Sequence, residues 1–104
     1  MNKYNARKVK APDGQVFASV KEYHRWGVLK ILERAGRITD LKRQVRYEVI
    51  PKQQGERACD YVADFTYYED GKLVVEDAKG YRTDDYIIKR KLMLWVHGIR
   101  IKET

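Results

Sequence analysis

Three charged side chains, Asp64, Asp77 and Lys79, are the residues of this sequence best suited to chemistry. Asp77 and Lys79 lie in VVEDAKG, residues 74–80, which begins and ends like a β-strand but carries acids and a base that strands usually lack. Paired carboxylates can hold a divalent cation, and a neighbouring lysine can assist the hydrolysis of a phosphate ester. The three residues are therefore catalytic candidates if the fold brings them together.

The connection between two predicted strands, residues 59–69 and 72–79, determines how these strands pair. Asp70-Gly71 is a strong signal for a two-residue hairpin turn. Such a turn places Glu69 directly opposite Lys72, and the rest of the register follows from that pair.

In this register Asp64 faces Asp77, with Cβ atoms about 5 Å apart. Because side chains alternate between the two faces of a sheet, Lys79 shares the face of Asp77, whereas Glu76 points to the other face. Opposed carboxylates repel, and more strongly when half-buried, so Lys79 or a cation such as Mg²⁺ must compensate. Alternatively, an Asp–Lys ion pair lies beside an unrelated Asp on an exposed face, and a bulge would break the register.

Glu22 is a fourth candidate, contributed by a predicted helix over residues 20–35. Ser19 and Glu22 have the spacing of a capping box, apolar residues follow at helical spacing, and Gly36 ends the segment. Glu22 lies at the edge of the buried side, because Trp26 and Leu29 follow it at i+4 and i+7. Capping alone also accounts for a Glu at this position.

The remaining elements complete one domain. Alternation predicts a strand over residues 44–51, ended by Pro51, before the hairpin. A second helix over residues 85–96, capped by Asp84 or Asp85 and ended by His97-Gly98, precedes a short last strand. The order αβββαβ predicts an α/β (α+β) domain over residues 15–104, preceded by a basic flexible arm, residues 1–14. Trp26 and Trp95 are predicted to be core residues, one from each helix.

The composition narrows the class of partner. Lys and Arg number 22 against 15 acids, and the net charge of +7 favours a polyanion such as nucleic acid. The sequence contains no apolar run long enough for a membrane span and no secretion signal. One cysteine, Cys59, excludes an internal disulfide, and a cytoplasmic location is expected.

The acids and the lysine, with this element order, resemble the PD-(D/E)XK nuclease superfamily. KYNARK, FASVKEY, DYVADFTYY and VVEDAKGYRT look like a small phage-encoded family of that superfamily, related to junction-resolving and transposon end-cutting endonucleases. The resemblance covers about residues 19–102. It implies a restriction-endonuclease-like αβββαβ core, a mixed central sheet flanked by two helices, and Mg²⁺- or Mn²⁺-dependent cleavage of DNA.

When the motif of the superfamily is placed on this sequence, Asp64 and Asp77 match its two acids and Lys79 matches its lysine. Glu22 matches the helical acid, so that Glu22, Asp64 and Asp77 would be the metal ligands. Gln44 matches, more weakly, a polar residue on the first strand. The first motif lacks its usual Pro, and Glu76 beside Asp77 permits an assignment shifted by one residue. The shared face favours Asp77.

Basic residues near the motif would contact DNA phosphates on either side of the cut, without reading sequence. Alternatively, they form a solvated basic face. With Gln44, these DNA-binding candidates are Arg82, Thr83, Lys89 and Lys91.

The resemblance suggests a metal-dependent endonuclease of phage DNA processing or recombination that acts on branched DNA, such as a four-way junction, or without selectivity. Cutting two strands symmetrically would require a homodimer. The alternative is a non-catalytic nucleic-acid-binding phage accessory protein that retains the fold. Because an inactive relative is expected to have lost a motif residue, and none is missing here, the sequence favours the enzyme.

Overall fold

The structure, a computed structural model, describes residues 7–104. These residues form two helices and six strands: β1 Val9–Lys10, β2 Val16–Phe17, α1 Val20–Arg34, β3 Thr39–Ile50, β4 Cys59–Glu69, β5 Lys72–Asp77, α2 Asp84–His97 and β6 Lys102–Glu103. The predicted mixed α and β fold class is confirmed, and the αβββαβ order recurs from α1 onward.

The central sheet has four strands in the order β3-β4-β5-β6. The first two pairings are antiparallel, and β6 runs parallel to β5 after the crossover through α2. Thr104 extends this parallel pairing with two backbone hydrogen bonds. Its N–H donates to Asp77 O at 3.0 Å, and its carbonyl accepts from Lys79 N–H at 3.1 Å. The final residues therefore hold the backbone on both sides of Ala78.

The β4–β5 hairpin has the predicted register. Asp70 and Gly71 both have positive φ, 52° and 76°, as a two-residue hairpin turn of type I′ requires. Pairing runs from Glu69 opposite Lys72 to Phe65 opposite Glu76. β5 ends at Asp77, earlier than the predicted end at residue 79, so that Lys79 lies beyond the strand.

Helix α1 begins as predicted, with Ser19 Oγ accepting from the backbone N–H of Glu22 at 3.1 Å. Helix α2 begins differently from the prediction. Its N-cap is Thr83, whose hydroxyl accepts from the N–H of Tyr86 at 3.2 Å, rather than Asp84 or Asp85. The two acids instead lie in the first turn, where their negative charges interact favourably with the positive end of the helix dipole.

One apolar cluster lies beneath each helix. Leu29 of α1 packs with Phe65 and Tyr67, and Met93 of α2 packs with Ala63 and Val75. The two clusters meet along β4, which contributes Ala63 to one and Phe65 to the other.

The two tryptophans differ. Trp26 is half-buried and stacks on Phe65, with ring centres 6.0 Å apart, as a core residue should. Trp95 is 84% exposed, so the prediction that it belongs to the core was wrong. At about 100° per residue, Trp95 points about 200° away from the buried Met93, and a helical apolar pattern does not show which side packs.

Part of the segment expected to be a flexible arm is structured. Val9–Lys10 pairs with Val16–Phe17 as a small antiparallel sheet, and Ala11 between them is buried. The other part of that prediction, residues 1–6, lies outside the described residues. Neither helix within residues 7–104 combines the length and the hydropathy needed to cross a bilayer.

Candidate active site

Asp77 is the last residue of β5 and is only 3% exposed. Tyr61 donates its hydroxyl hydrogen to Asp77 Oδ2 at 2.6 Å. Lys79 Nζ lies 3.1 Å from Asp77 Oδ1, which is an ion-pair distance. That contact lacks hydrogen-bond geometry, however, and Oδ1 is buried without a hydrogen-bond partner. One oxygen of Asp77 is thus satisfied by a neutral donor, and the other is held by charge attraction alone.

Asp64 lies across the hairpin and is half-buried. Its Oδ2 accepts a hydrogen bond from Ala78 N–H at 2.8 Å. Burial raises the pKa of Asp64 to about 8, with further increases from the negative charges of Asp77 and Glu22, and the Ala78 N–H opposes this only in part. The fold therefore brings together the two carboxylates that the hairpin register predicted, at a net electrostatic cost in the absence of an added cation.

Lys79 is held from several sides although it lies beyond β5. Its Nζ lies 4.2 Å from the centre of the Tyr86 ring, within cation–π range. Its carbonyl oxygen accepts from Lys21 Nζ at 2.7 Å. Because the side chain is only 27% exposed, Lys79 is a partly desolvated cation beside Asp77.

Glu22 reaches the same region from α1, since its charge raises the pKa of Asp64. The side chain is buried, and Oε2 lies 3.2 Å from the guanidinium of Arg43. Arg43 itself lies 3.7 Å from the centre of the Phe17 ring. Glu22 is therefore at the edge of the site with its charge already partnered, which distinguishes it from Asp77.

Sequence reasoning missed Arg43 and Tyr61. Both lie in strands where many residues share their type, and nothing in the spacing indicates a contact with an acid. In residues 7–104 the buried side-chain polar atoms without a hydrogen-bond partner are Asp77 Oδ1 and Arg43 Nε. Both belong to side chains of this site, so unsatisfied polarity concentrates here.

Gln44 lies between the pairs Arg43–Phe65 and Val45–Ala63, which places it opposite Asp64. Its side chain is exposed, and its φ is 54°, inside a strand. A left-handed backbone costs a residue other than glycine about 1–2 kcal/mol. The edge strand is therefore strained where it passes Asp64.

Lys79 lines two hollows that adjoin the carboxylates. One, of about 460 Å³, contains Glu22 and Asp64, with Arg7, Lys21 and Tyr81 around it. The other, of about 240 Å³, contains Asp77 together with Thr83 and Lys89. Each hollow thus gives access to one of the two acids, Asp64 from the first and Asp77 from the second, and each also has a lysine in its wall besides Lys79.

The structure divides the predicted DNA-binding residues. Lys89 lines the hollow that contains Asp77, whereas Lys91 lines a different hollow with Arg90, Leu94 and Arg100. Arg82 is exposed but forms an ion pair with Glu103, and the Thr83 hydroxyl caps α2. Among these residues of α2 and its preceding loop, Lys89 is the cation that the fold directs toward the site.

The donors suit a hard cation that retains much of its own water. Within residues 7–104 no three His, Cys, Asp or Glu side chains are already arranged to hold a metal ion. Mg²⁺ commonly binds through one or two carboxylates, with waters and substrate phosphate completing its shell. The unpartnered Oδ1 of Asp77 and the raised pKa of Asp64 fit such a two-carboxylate site.

The fold and the geometry define the class: a small α+β domain in which a buried acid, a half-buried acid and a lysine lie together. The chain belongs to the family described as "Protein of unknown function (DUF1064)", whose sequence profile matches residues 1–100. No curated protein and no solved structure matches the chain. The chemistry of the site therefore has to follow from this chain's own residues.

Proposed function

We propose that this protein is a metal-dependent DNA endonuclease that hydrolyses phosphodiester bonds at Asp64, Asp77 and Lys79. The observation that carries the proposal is Asp77 Oδ1. This buried oxygen has no hydrogen-bond partner and lies beside a second acid, Asp64, whose pKa is about 8. The Lys79 ammonium balances only one of the two carboxylates, and a divalent cation would supply the further charge that keeps both ionised.

Asp64 and Asp77 would hold the cation, Mg²⁺ or Mn²⁺. When bound, such a cation lowers the pKa of a coordinated water and stabilises charge that develops on the phosphate. Asp64 releases its proton at neutral pH once a positive charge offsets Asp77. Glu22, already paired with Arg43, acts from the edge of the site and keeps Arg43 in place.

Lys79 is the residue that would orient the attacking water or contact the phosphate. In the metal-free protein its Nζ neutralises Asp77 Oδ1, at 3.1 Å. With a cation held by Asp77, the Lys79 ammonium, which lies over the Tyr86 ring, would orient the water or contact a phosphate oxygen.

The partner class follows from charge. The net charge is +7, and Lys21 and Lys89 line the two hollows that contain the acids. A single small domain has little room for base reading, which favours structure-selective or nonspecific cleavage. Branched DNA as substrate and a homodimer as the active form rest on the family resemblance.

A nicking assay tests the proposal. Supercoiled plasmid and a four-way junction are incubated with Mg²⁺ or Mn²⁺, and wild-type protein is expected to cut. Asp77→Ala and Lys79→Ala should abolish cutting. Glu69→Ala, an exposed acid at the far end of the same hairpin, should retain it.

Cleavage that survives both site substitutions would refute the proposal. So would wild-type protein that never cuts. Wild-type protein that retards both DNAs without cutting them would instead support the non-catalytic nucleic-acid-binding alternative.

A further inference from the structure

Tyr61 lies in β4, three positions before Asp64, and its ring is buried in the cluster beneath α2. Its hydroxyl reaches Asp77 Oδ2 at 2.6 Å, a short bond between a neutral donor and a carboxylate. No part of the proposed hydrolysis assigns a task to this side chain. It nevertheless donates directly to Asp77, the acid to which protonated Asp64 also bonds.

The bond determines which oxygen of Asp77 is presented. A carboxylate with one oxygen fixed by a buried O–H cannot rotate freely, so Oδ1 remains on the side of Lys79. A neutral donor also leaves the negative charge of Asp77 intact, whereas a second cation would neutralise it. Tyr61 thus orients the acid without satisfying it.

The same strand contains an internal comparison. Tyr67 donates to Glu76 Oε1, also at 2.6 Å, at the residue of β5 next to Asp77. There Arg25 occupies both oxygens of Glu76, at 2.7 and 2.9 Å. Two tyrosines of β4 therefore hold neighbouring acids of β5 in the same way, but only the acid held by Tyr61 keeps an oxygen available.

We propose that Tyr61 is a positioning residue that directs Asp77 Oδ1 toward a bound divalent cation. The inference rests on the proposed metal-binding role of Asp77. It assigns to Tyr61 the function that hydrogen-bond partners of metal ligands commonly have, which is to fix the ligand's orientation. In a purely structural role, Tyr61 would only stabilise the buried Asp77 carboxylate. Tyr67, which bonds the fully satisfied Glu76, is the comparison for such a role.

Tyr61→Phe and Tyr67→Phe form a matched pair, because each removes one hydroxyl from a buried tyrosine–carboxylate bond. Mn²⁺ binding is measured by isothermal titration calorimetry on the full chain, after thermal unfolding has shown that each variant folds. Tyr61→Phe is expected to weaken Mn²⁺ binding by roughly 10–100-fold. Tyr67→Phe is expected to bind Mn²⁺ like wild-type protein. The melting temperature should fall in both variants, because each loses one buried hydrogen bond.

Equal Mn²⁺ affinity in Tyr61→Phe and wild type would overturn the inference, as would an equal loss in Tyr67→Phe. Wild-type protein that binds and cuts, with Tyr61→Phe unaffected, leaves the nuclease proposal standing. Wild-type protein that binds no Mn²⁺ refutes both.

A measurement on wild-type protein covers the case in which Tyr61→Phe does not fold. Substoichiometric Mn²⁺ should broaden the ring resonances of Tyr61 in NMR spectra, because Tyr61 contacts the proposed ligand directly. The Tyr67 ring, which contacts Glu76, should broaden less. Equal broadening, or none at Tyr61, would overturn the inference.

Discussion

Glu76 and Asp77 are consecutive acids on opposite sides of β5, and both are buried, but only one of them is fully satisfied. Glu76 accepts two hydrogen bonds from Arg25, one from Tyr67 and one from Thr104. Burial raises its pKa, but the bonds from Arg25 and Tyr67 outweigh burial, and the pKa of Glu76 is lowered overall. Asp77, by contrast, has an oxygen without a hydrogen-bond partner.

This difference in hydrogen bonding distinguishes an acid with a structural role, Glu76, from an acid of the candidate active site, Asp77. A buried charge with all its partners within the protein joins elements together, and here Arg25 connects α1 to β5. A buried charge beside a second acid, with an oxygen left over, lowers stability unless something else binds. The protein retains that arrangement on one side of β5 only, which is why the proposed chemistry is assigned to the Asp77 side.

Removing the structural acid should have the largest effect. Glu76→Ala leaves Arg25 without its carboxylate in a partly buried position, and breaking such a pair costs about 3–5 kcal/mol. Urea unfolding should show this loss in the free energy of unfolding. The control is Glu69→Ala, an exposed acid of the same hairpin, with an expected change within about 0.5 kcal/mol. A loss below about 1 kcal/mol in Glu76→Ala would remove the distinction between the two acids.

The two sides of β5 should also respond oppositely to pH. Folded Asp64 has a pKa of about 8, against an ordinary value of 3.8. Between these values the folded protein binds more protons than the unfolded chain, so metal-free stability should fall as pH rises from about 4 to about 8. The lowered pKa of Glu76 has the opposite sign, since its contribution is lost on acidification.

Melting temperatures in EDTA across this pH range test that expectation. The decline toward pH 8 should be shallower in Asp64→Asn, and Mg²⁺ or Mn²⁺ should restore wild-type stability at pH 8. A wild-type melting temperature that stays level, or an unchanged slope in Asp64→Asn, would show that Asp64 does not carry the repulsion.

Much of the fold was predictable because local signals determine it. The Asp70-Gly71 turn sets the hairpin register, and with alternation it places Asp64 and Asp77 together while sending Glu76 to the other face. The order of helices and strands follows from periodicity. These signals act over a few residues, which is the range that a single sequence reveals.

Lys79 was predictable as a partner of Asp77, but the arginine partners of Glu22 and Glu76 were not, because they lie far away along the chain. Arg25 lies 51 residues from Glu76, and Arg43 lies 21 residues from Glu22. Sheet twist and helix packing select these contacts from among many similar residues. From the sequence, Glu76 could be assigned only to the opposite face, and its role as a buried anchor depends on the contact with Arg25.

A milder change tests Asp77 in the metal-free protein. Asp77→Asn keeps an oxygen for the Tyr61 hydroxyl and removes one negative charge beside Asp64. We expect this relief to outweigh the lost ion pair with Lys79 and to stabilise the protein by about 1 kcal/mol. Glu76→Gln, the same change on the other side, should destabilise it, because Arg25 loses a charged partner. Urea unfolding in EDTA compares the two. Destabilisation by both would mean that Asp77 is a structural acid like Glu76.

The smallest expected effect is on DNA binding by helix α2. Lys89 and Lys91 allow a comparison between a cation near the candidate site and one away from it. Lys89 lines the hollow that contains Asp77, whereas Lys91 lines another. Each phosphate contact contributes about 0.9 to the slope of log K against log salt for duplex DNA. With Ca²⁺ in place of Mg²⁺, fluorescence anisotropy should show that Lys89→Ala reduces this slope by about 1, and Lys91→Ala should leave it unchanged. Equal slopes in the two variants would mean that DNA does not follow the Asp77 side of α2, and the path of the phosphate backbone would then have to run past Lys21 and Asp64.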